Sequence, residues 1–245
     1  MTAPRLSLLF LGLAVLGCAP RIIDIRPYPA HPDQKMDGED ILVSWKHGVR
    51  VAARYMRDSE LDDAFRLPGA NPKKETGNPF LSKPPRAPAR FTVFRLDLRN
   101  ESEFDTFVEI GKILLRDELS GEYHPQSAQQ LTDYWIGKVT IELGKPVTWA
   151  AQMEALRRKV TKEKSLHETI YEGGRLPSRG EHSGYIAFRD LPKASKHLQL
   201  LVEVVTRSSR YGNPLNVDLY ELNFDRVKVP KPPKDQPEMN EWREH

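Results

Sequence analysis

The chain has 245 residues, 37 basic against 34 acidic, and one cysteine. A single thiol removes disulfides from the argument, and so even a charge balance speaks against the concentrated basic face of a nucleic-acid binder. Stability has to come from a buried core, which about 200 ordered residues can form within one elaborated domain.

The first segment, 1–17, carries Arg5, an apolar run from Leu6 to Leu16 broken by Ser7 and Gly12, and a small residue at the end. That pattern predicts a secretory signal peptide. Its eleven apolar-run residues cover only about half of a ~30 Å hydrocarbon core, so they read as an export signal and not as a transmembrane helix. Val15, Leu16, Gly17 and Cys18 resemble the lipobox of bacterial lipoproteins. The resemblance implies cleavage between Gly17 and Cys18 after the Cys18 thiol has received a diacylglycerol, a palmitate-bearing membrane anchor at Cys18, and no cofactor. Two or three acyl chains, at ~0.8 kcal/mol per buried methylene, hold a protein where one chain is marginal. Ala19 in place of aspartate resembles the pattern of lipoproteins passed on to the outer membrane, which implies the periplasm and cell envelope of a Gram-negative bacterium. The plainer alternative leaves Cys18 as an apolar residue of an ordinary signal peptide. Removing 1–17 takes away Arg5 and no acid, leaving 36 basic against 34 acidic residues.

Residues 18–40 contain Pro20, Pro27, Pro29 and Pro32 and few apolar residues after Ile25, which predicts a stiff, proline-rich tether. Residues 41–229 then alternate with a period of two. Ile41–Met56 reads as two strands turning at His47 and Gly48, where glycine supplies a positive φ. Phe94, Leu96 and Leu98 alternate with Arg95, Asp97 and Arg99, a strand with one wet face, and Asn100–Glu103 reads as a turn. The stretch from Phe104 to Pro125 continues as one or two strands with a hairpin at Ser120 and Gly121. A short strand at Tyr185–Phe188 follows, then Lys196–Arg207 and Leu215–Val229. These last two place Leu198, Leu200, Val202 and Val204 on one face and Tyr220, Leu222 and Phe224 on another. Six to eight such strands predict a mainly β fold, an antiparallel sandwich. Residues 230–245 read as a disordered, charged tail.

The β pattern breaks at about 125–172. Trp149, Met153, Leu156 and Val160, spaced four, three and four apart, form the stripe of an amphipathic helix with Thr148 as N-cap and Glu154 and Arg158 as an ion pair. This predicts a helical insertion across one end or edge of the sandwich, covering an open edge strand.

The stretches FRLDLRNES, LLRDELSGEYHP and TIYEGGRLPSRGEHSGYIAFRDLP together resemble the immunoglobulin-like extracytoplasmic domains of bacterial lipoproteins and secreted antigens. The shared features are a strand ending in Asn and small polar residues, a strand followed by Asp and Gly with an aromatic after, and a glycine-led turn into an aromatic strand. The likeness spans about residues 90–206. It implies an immunoglobulin-like fold and a compartment, and no reaction.

Four patterns invite a chemical reading. LHETI at 166–170 has the His-Glu opening of a zinc-protease helix, but Tyr171 stands where the second histidine is needed, and one imidazole does not make the site. Asp58, Glu60, Asp62 and Asp63 lack the glycine and glutamate of a calcium loop, with Asp63 and Gly69 in those places, and read as a helix start capped by Asp58 or Ser59. Arg157, Arg158, Lys159, Lys162 and Lys164 read first as a solvated helix face and second as an interaction surface for anionic headgroups or phosphate polymers. Trp45, Tyr55, Trp135 and Trp149 read as core aromatics. The scattered histidines 31, 47, 124, 167, 182, 197 and 245 sit in no nucleophile elbow, so no catalytic residue, metal ligand or cofactor site is assigned.

The expectation is a lipid-anchored, non-enzymatic envelope protein that offers a surface of its sandwich to an envelope protein partner, with the insertion or adjacent loops in contact. Two alternatives stand beside it. One is a binding or carrier protein for a small envelope ligand, a lipid, sugar or metal, held between insertion and sheet. The other is a hydrolase whose site forms from distant strands.

Overall fold

In a computed structural model of the chain, the described residues are 21–66, 78–80, 91–133, 156, 160–161, 163–189, 191–192, 194–208 and 212–230. They fall into two compact units. The larger runs from Ile25 to Arg226. Of the smaller, built from 1–24 and 227–245, residues 21–24 and 227–230 are described, and both stretches are strand.

Alternation of apolar and polar residues yields strands β1 (Arg21–Pro27), β2 (Gln34–Asp37), β3 (Ile41–Lys46), β4 (Val49–Tyr55), β5 (Thr92–Asn100), β6 (Asp105–Glu109), β7 (Ile113–Asp117), β8 (Glu122–Tyr123), β9 (Gly173–Leu176), β10 (Glu181–Phe188), β11 (His197–Arg207) and β12 (Pro214–Pro230). A short helix, α1, spans Asp58–Ala64. The protein is mainly β, with two antiparallel sheets. A five-stranded sheet runs β10-β5-β4-β3-β2. A seven-stranded sheet runs β1-β12-β11-β6-β9, with β7 also on β11 and β8 on β7. A single 3-10 turn at Ile110–Lys112 separates β6 from β7, so two short strands in succession line the same edge of β11.

The inner faces share one core. Val51, Phe94, Leu96, Leu98 and Ile186 from the five-stranded sheet meet Ile113, Leu200, Val202, Val204, Tyr220, Leu222 and Phe224 from the other. Each such buried side chain is worth about 1.5–3 kcal/mol. The faces expected for β5, β11 and β12 therefore hold. So do the turns: His47 (φ 45°) and Gly48 (φ 78°) join β3 to β4, and Ser120 (φ 65°) lies between β7 and β8. Between β5 and β6 the chain changes sheets, and Asn100 clamps the crossing. Wholly buried, it donates from Nδ2 to the carbonyls of Phe104 (2.7 Å) and Pro177 (3.0 Å), and its Oδ1 accepts from the Ser102 amide (3.0 Å) and hydroxyl (2.7 Å).

The predicted tether is corrected. Within 18–40, β1 pairs with β12 and β2 with β3, Ile25 is a core residue, and Gln34 is buried with its amide oxygen accepting from Ala30 N–H at 2.7 Å. Prolines suggested an extended solvated chain, but Pro27 ends β1 and Pro29 and Pro32 lie in the connection to β2, where the ladder loses no donor. β10 is also longer than expected, beginning at Glu181.

A second apolar cluster lies on the outer face of the five-stranded sheet. Met56, Val93 and Ala187 are covered there by Leu61 and Phe65, by Phe80, and by Ala128, Leu131, Leu166 and Ile170 from helical residues 128–133 and 163–169 and the position after them. Trp149, Met153, Glu154, Arg158 and Thr148 lie outside the described residues. The stripe's two described members, Leu156 and Val160, are 46% and 57% exposed and do not form the packing face; Leu166 and Ile170 do. After 169 the chain crosses the β10 edge, with Ile170 bridging Tyr185 and Tyr171 N–H donating to the Tyr185 carbonyl at 2.9 Å.

That crossing dictates a glycine. A Cβ on Gly184 would stand 2.8 Å from the Tyr171 nitrogen and 2.9 Å from its Cα, both backbone atoms that cannot step aside. Gly184→Ala is expected to lower unfolding stability by about 1–3 kcal/mol, read as a reduced urea midpoint at unchanged slope.

Candidate functional site

Register across the five-stranded sheet sets out its outer face in rows. Next to the row of Met56, Val93 and Ala187 that the helical layer covers come Tyr185, Arg95, Arg54 and Ile41; then Ser183, Asp97, Ala52 and Val43; then Glu181, Arg99, Arg50 and Trp45. These three rows border a cleft of about 600 Å³, lined by Trp45, Arg50, Arg95, Asp97, Arg99 and Glu181 over a floor that includes Ala52. Strand alternation places every one of these side chains opposite the inner apolar set.

The charges are matched within the face. Arg95 Nε donates to Asp97 at 3.2 Å, Arg99 Nε reaches Glu101 at 3.3 Å and Glu181 at 3.2 Å, and Arg50 Nη2 donates to Asp37 at 2.9 Å. The Arg50 guanidinium also lies 5.5 Å from the centre of the Trp45 ring, which is 42% exposed. Ion pairs this exposed are worth about 0–1 kcal/mol each, so a docking group can take over an arginine at little cost. Trp45 corrects the reading of it as a core aromatic: in β3 it falls on the outer side, while Leu42 faces the core. Tyr55 does pack, partly buried, against the core. Trp135 and Trp149 lie outside the described residues.

A second polar cluster sits at the β7–β8 hairpin. Asp117, buried, accepts from the amides of Leu119 (3.0 Å) and Gly121 (2.8 Å), the Tyr123 hydroxyl (2.9 Å) and the Ser195 hydroxyl (2.8 Å). Burial raises its carboxyl pKa, but these four donors outweigh it and hold the group below the ordinary carboxylate range. The same burial and the neighbouring carboxylate push the Tyr123 hydroxyl up. A serine on a carboxylate lacks the imidazole that would activate it. The nearby His197 bonds instead to Asp225, Nδ1 to Oδ1 at 2.6 Å. His47 pairs with Asp218 at 2.9 Å and His31 with Glu221 at 3.4 Å. Among the described residues no group of three His, Cys, Asp or Glu side chains is placed to hold a metal ion.

The sequence-derived candidates fall elsewhere. Gly17, Cys18, Arg157, Arg158, Lys159 and Lys162 lie outside the described residues. Lys164 is exposed and pairs with Glu168 at 3.7 Å, one helical turn on. His167 and Glu168 face solvent while Leu166 and Ile170 pack inward, so LHETI is an amphipathic helix segment. The acidic cluster is α1, but its cap is Arg57, not Asp58 or Ser59. The Arg57 backbone N–H donates to Glu60 at 2.7 Å, and its guanidinium holds Asp40 at 2.9 Å. The arginine and tryptophan face was missed as a unit. Alternation marked Arg95, Asp97 and Arg99 as a wet face, but only register brings Arg50 and Trp45 beside them.

No protein-family model, curated protein or solved structure matches the chain. Among the described residues no helix is long and apolar enough to cross a membrane.

Proposed function

We propose that the protein is a lipid-anchored, non-enzymatic module of the cell envelope, an immunoglobulin-like sandwich with a helical insertion, which binds a protein partner through the open outer face of its five-stranded sheet. The observation that carries this reading is the row Trp45, Arg50, Arg99 and Glu181 beside Arg95 and Asp97. Tryptophan and arginine dominate the residues that carry binding energy in protein interfaces, and a rigid sheet holds them in place without a partner. The helical residues 128–133 and 163–169, placed between β8 and β9 in the chain, support the insertion; they wall one side of the face and do not form it. The buried Asn100 at the end of β5 supports the immunoglobulin-like comparison, because it gives the Asn and small polar residues of that motif a clamping task. The anchor rests on the lipobox residues Val15–Cys18 and the location on Ala19.

A second reading, a carrier of a small polar ligand such as a sugar, is favoured by the cleft volume of about 600 Å³, which is within the range of small-molecule sites. The cleft is polar and lies on an open sheet face, so it ranks below the protein interface.

The test is a photo-crosslinking residue at Ser183, in the middle of the face, activated in membranes of the native host. One adduct of defined mass that disappears with Arg99→Glu is expected. A residue at Ser183 that gives no protein adduct, while one at exposed Lys164 does, would move the interface to the helical segment.

A further inference from the structure

The geometry points to a second copy of this chain as the occupant of the edge of β12 that no described strand covers, where residues 215–219 of two molecules pair as antiparallel strands about Val217. Leu215, Val217 and Leu219 project outward from β12 and are 49%, 57% and 43% exposed, while Tyr220, Leu222 and Phe224 beyond them turn into the core. From Val217 to Asn223 the ladder to β11 is regular and the backbone of the odd-numbered residues faces away from β11; the register shifts beyond Asn216, at Leu215. Along that edge the Asn223 carbonyl accepts from Tyr28 N–H (3.0 Å), the Glu221 carbonyl from the Gln34 side-chain amide, and the Leu219 carbonyl from Lys46 Nζ (2.7 Å). Side-chain donors that seal an edge are a usual protection against strand addition, and here the seal stops at 219. At Val217 no described group takes the edge-facing N–H and C=O.

The occupant follows from the sequence Leu215-Asn216-Val217-Asp218-Leu219, which reads the same in both directions in size and polarity. A two-fold antiparallel pairing centred on Val217 sets each Leu215 against the other molecule's Leu219 and Val217 against Val217, all on one face. On the opposite face it sets each Asn216 beside Asp218, an amide donor beside a carboxylate already held by His47. The register uses odd residues opposite odd ones; Val217 and Leu219 offer backbone groups that face the edge, and Leu215, at the register shift, meets the other molecule's Leu219 through its side chain. Centring on Asp218 would oppose two carboxylates and use backbone groups committed to β11. A heterologous strand would need to supply this pattern; a second copy already has it. Five residues a side make less than a standard interface, so the pairing rests on the anchored reading proposed above, in which confinement to a membrane raises the local concentration.

The test uses the full chain in membranes of its host, under mild oxidation, with Val217→Cys, Leu215→Cys and Leu219→Cys. Opposed residues in such a pair stand about 5.5 Å apart at Cα, within disulfide reach. Val217→Cys alone is expected to give at least tenfold more disulfide-linked dimer than Leu215→Cys or Leu219→Cys alone. Co-expressing the latter two should restore the heterodimeric product. Equal or absent crosslinking among the three single variants in the membrane fraction would overturn the pairing. The wild-type chain separates this failure from that of the anchor: lipidated Cys18 has no thiol to oxidise, so wild-type dimers, or a chain found outside the membrane fraction, would indict the anchor and leave the edge to be judged on purified chain at high concentration by the same three-variant comparison.

Discussion

Asp117→Ala is expected to lower the unfolding free energy by about 3 kcal/mol. The carboxylate closes the β7–β8 hairpin through the amides of Leu119 and Gly121 and ties it to Ser195, ahead of β11, and to Tyr123. Truncation leaves those donors facing a methyl group. Ser195, almost wholly buried, has no water to turn to. Urea unfolding at neutral pH measures the loss. The pH dependence carries the sign. The folded pKa of Asp117 lies below its unfolded value, so its contribution is complete above the ordinary carboxylate pKa of about 4 and is lost as pH falls through the lowered folded value. Wild-type protein should therefore lose stability on acidification more steeply than the alanine variant. Asp33 and Asp40 are lowered too. At Asp33 burial raises the pKa and is outweighed only jointly by the Ser44 hydroxyl, its own backbone amide, Lys46 and His31, and at Asp40 the Arg57 hydrogen bond is the leading cause, so the variant keeps part of the slope. An unchanged acid limb with undiminished neutral stability would mean the hairpin does not depend on this carboxylate.

Trp45→Ala is expected to weaken partner binding by about 2 kcal/mol, roughly 30-fold, while leaving stability within about 0.5 kcal/mol. The two effects separate because the ring stands on the outer face, 42% exposed, and contributes nothing to the shared core. Losing it removes the apolar anchor and frees the Arg50 guanidinium that rests on it. Titration of the crosslinked partner against wild-type and variant chains measures the first, and urea unfolding the second. Equal affinities would take Trp45 out of the interface.

The strands of the middle and end of the chain were legible because their burial alternates residue by residue. Phe94, Leu96 and Leu98 in β5 and Tyr220, Leu222 and Phe224 in β12 need no tertiary information to be assigned a face. Turn chemistry at His47-Gly48 and Ser120 was equally local. β1 and β2 were hidden because prolines dominate their surroundings, and a proline at a strand end looks the same in sequence as one in a solvated tether. The helix cap at Arg57 was missed because arginine is not a usual capping residue; the Glu60 carboxylate accepts from its backbone N–H, and its guanidinium holds Asp40, 17 residues away. The candidate face could not be read for a related reason. Arg50 and Arg99 are 49 positions apart in the chain and become neighbours only through the β4–β5 register. Gly184 is similar: its need for a bare Cα comes from Tyr171 crossing above it, a contact no local pattern announces.

Acylation at Cys18, as proposed, would place the sandwich on a membrane and its open sheet face among envelope proteins. Growth with a clickable palmitate analogue, comparing the parent chain with Cys18→Ser, measures it directly. Label on the parent band that is absent from the variant, with the variant released into the soluble fraction, is the predicted result. Equal label on both chains, or none on a parent that retains residues 1–17, would contradict the account.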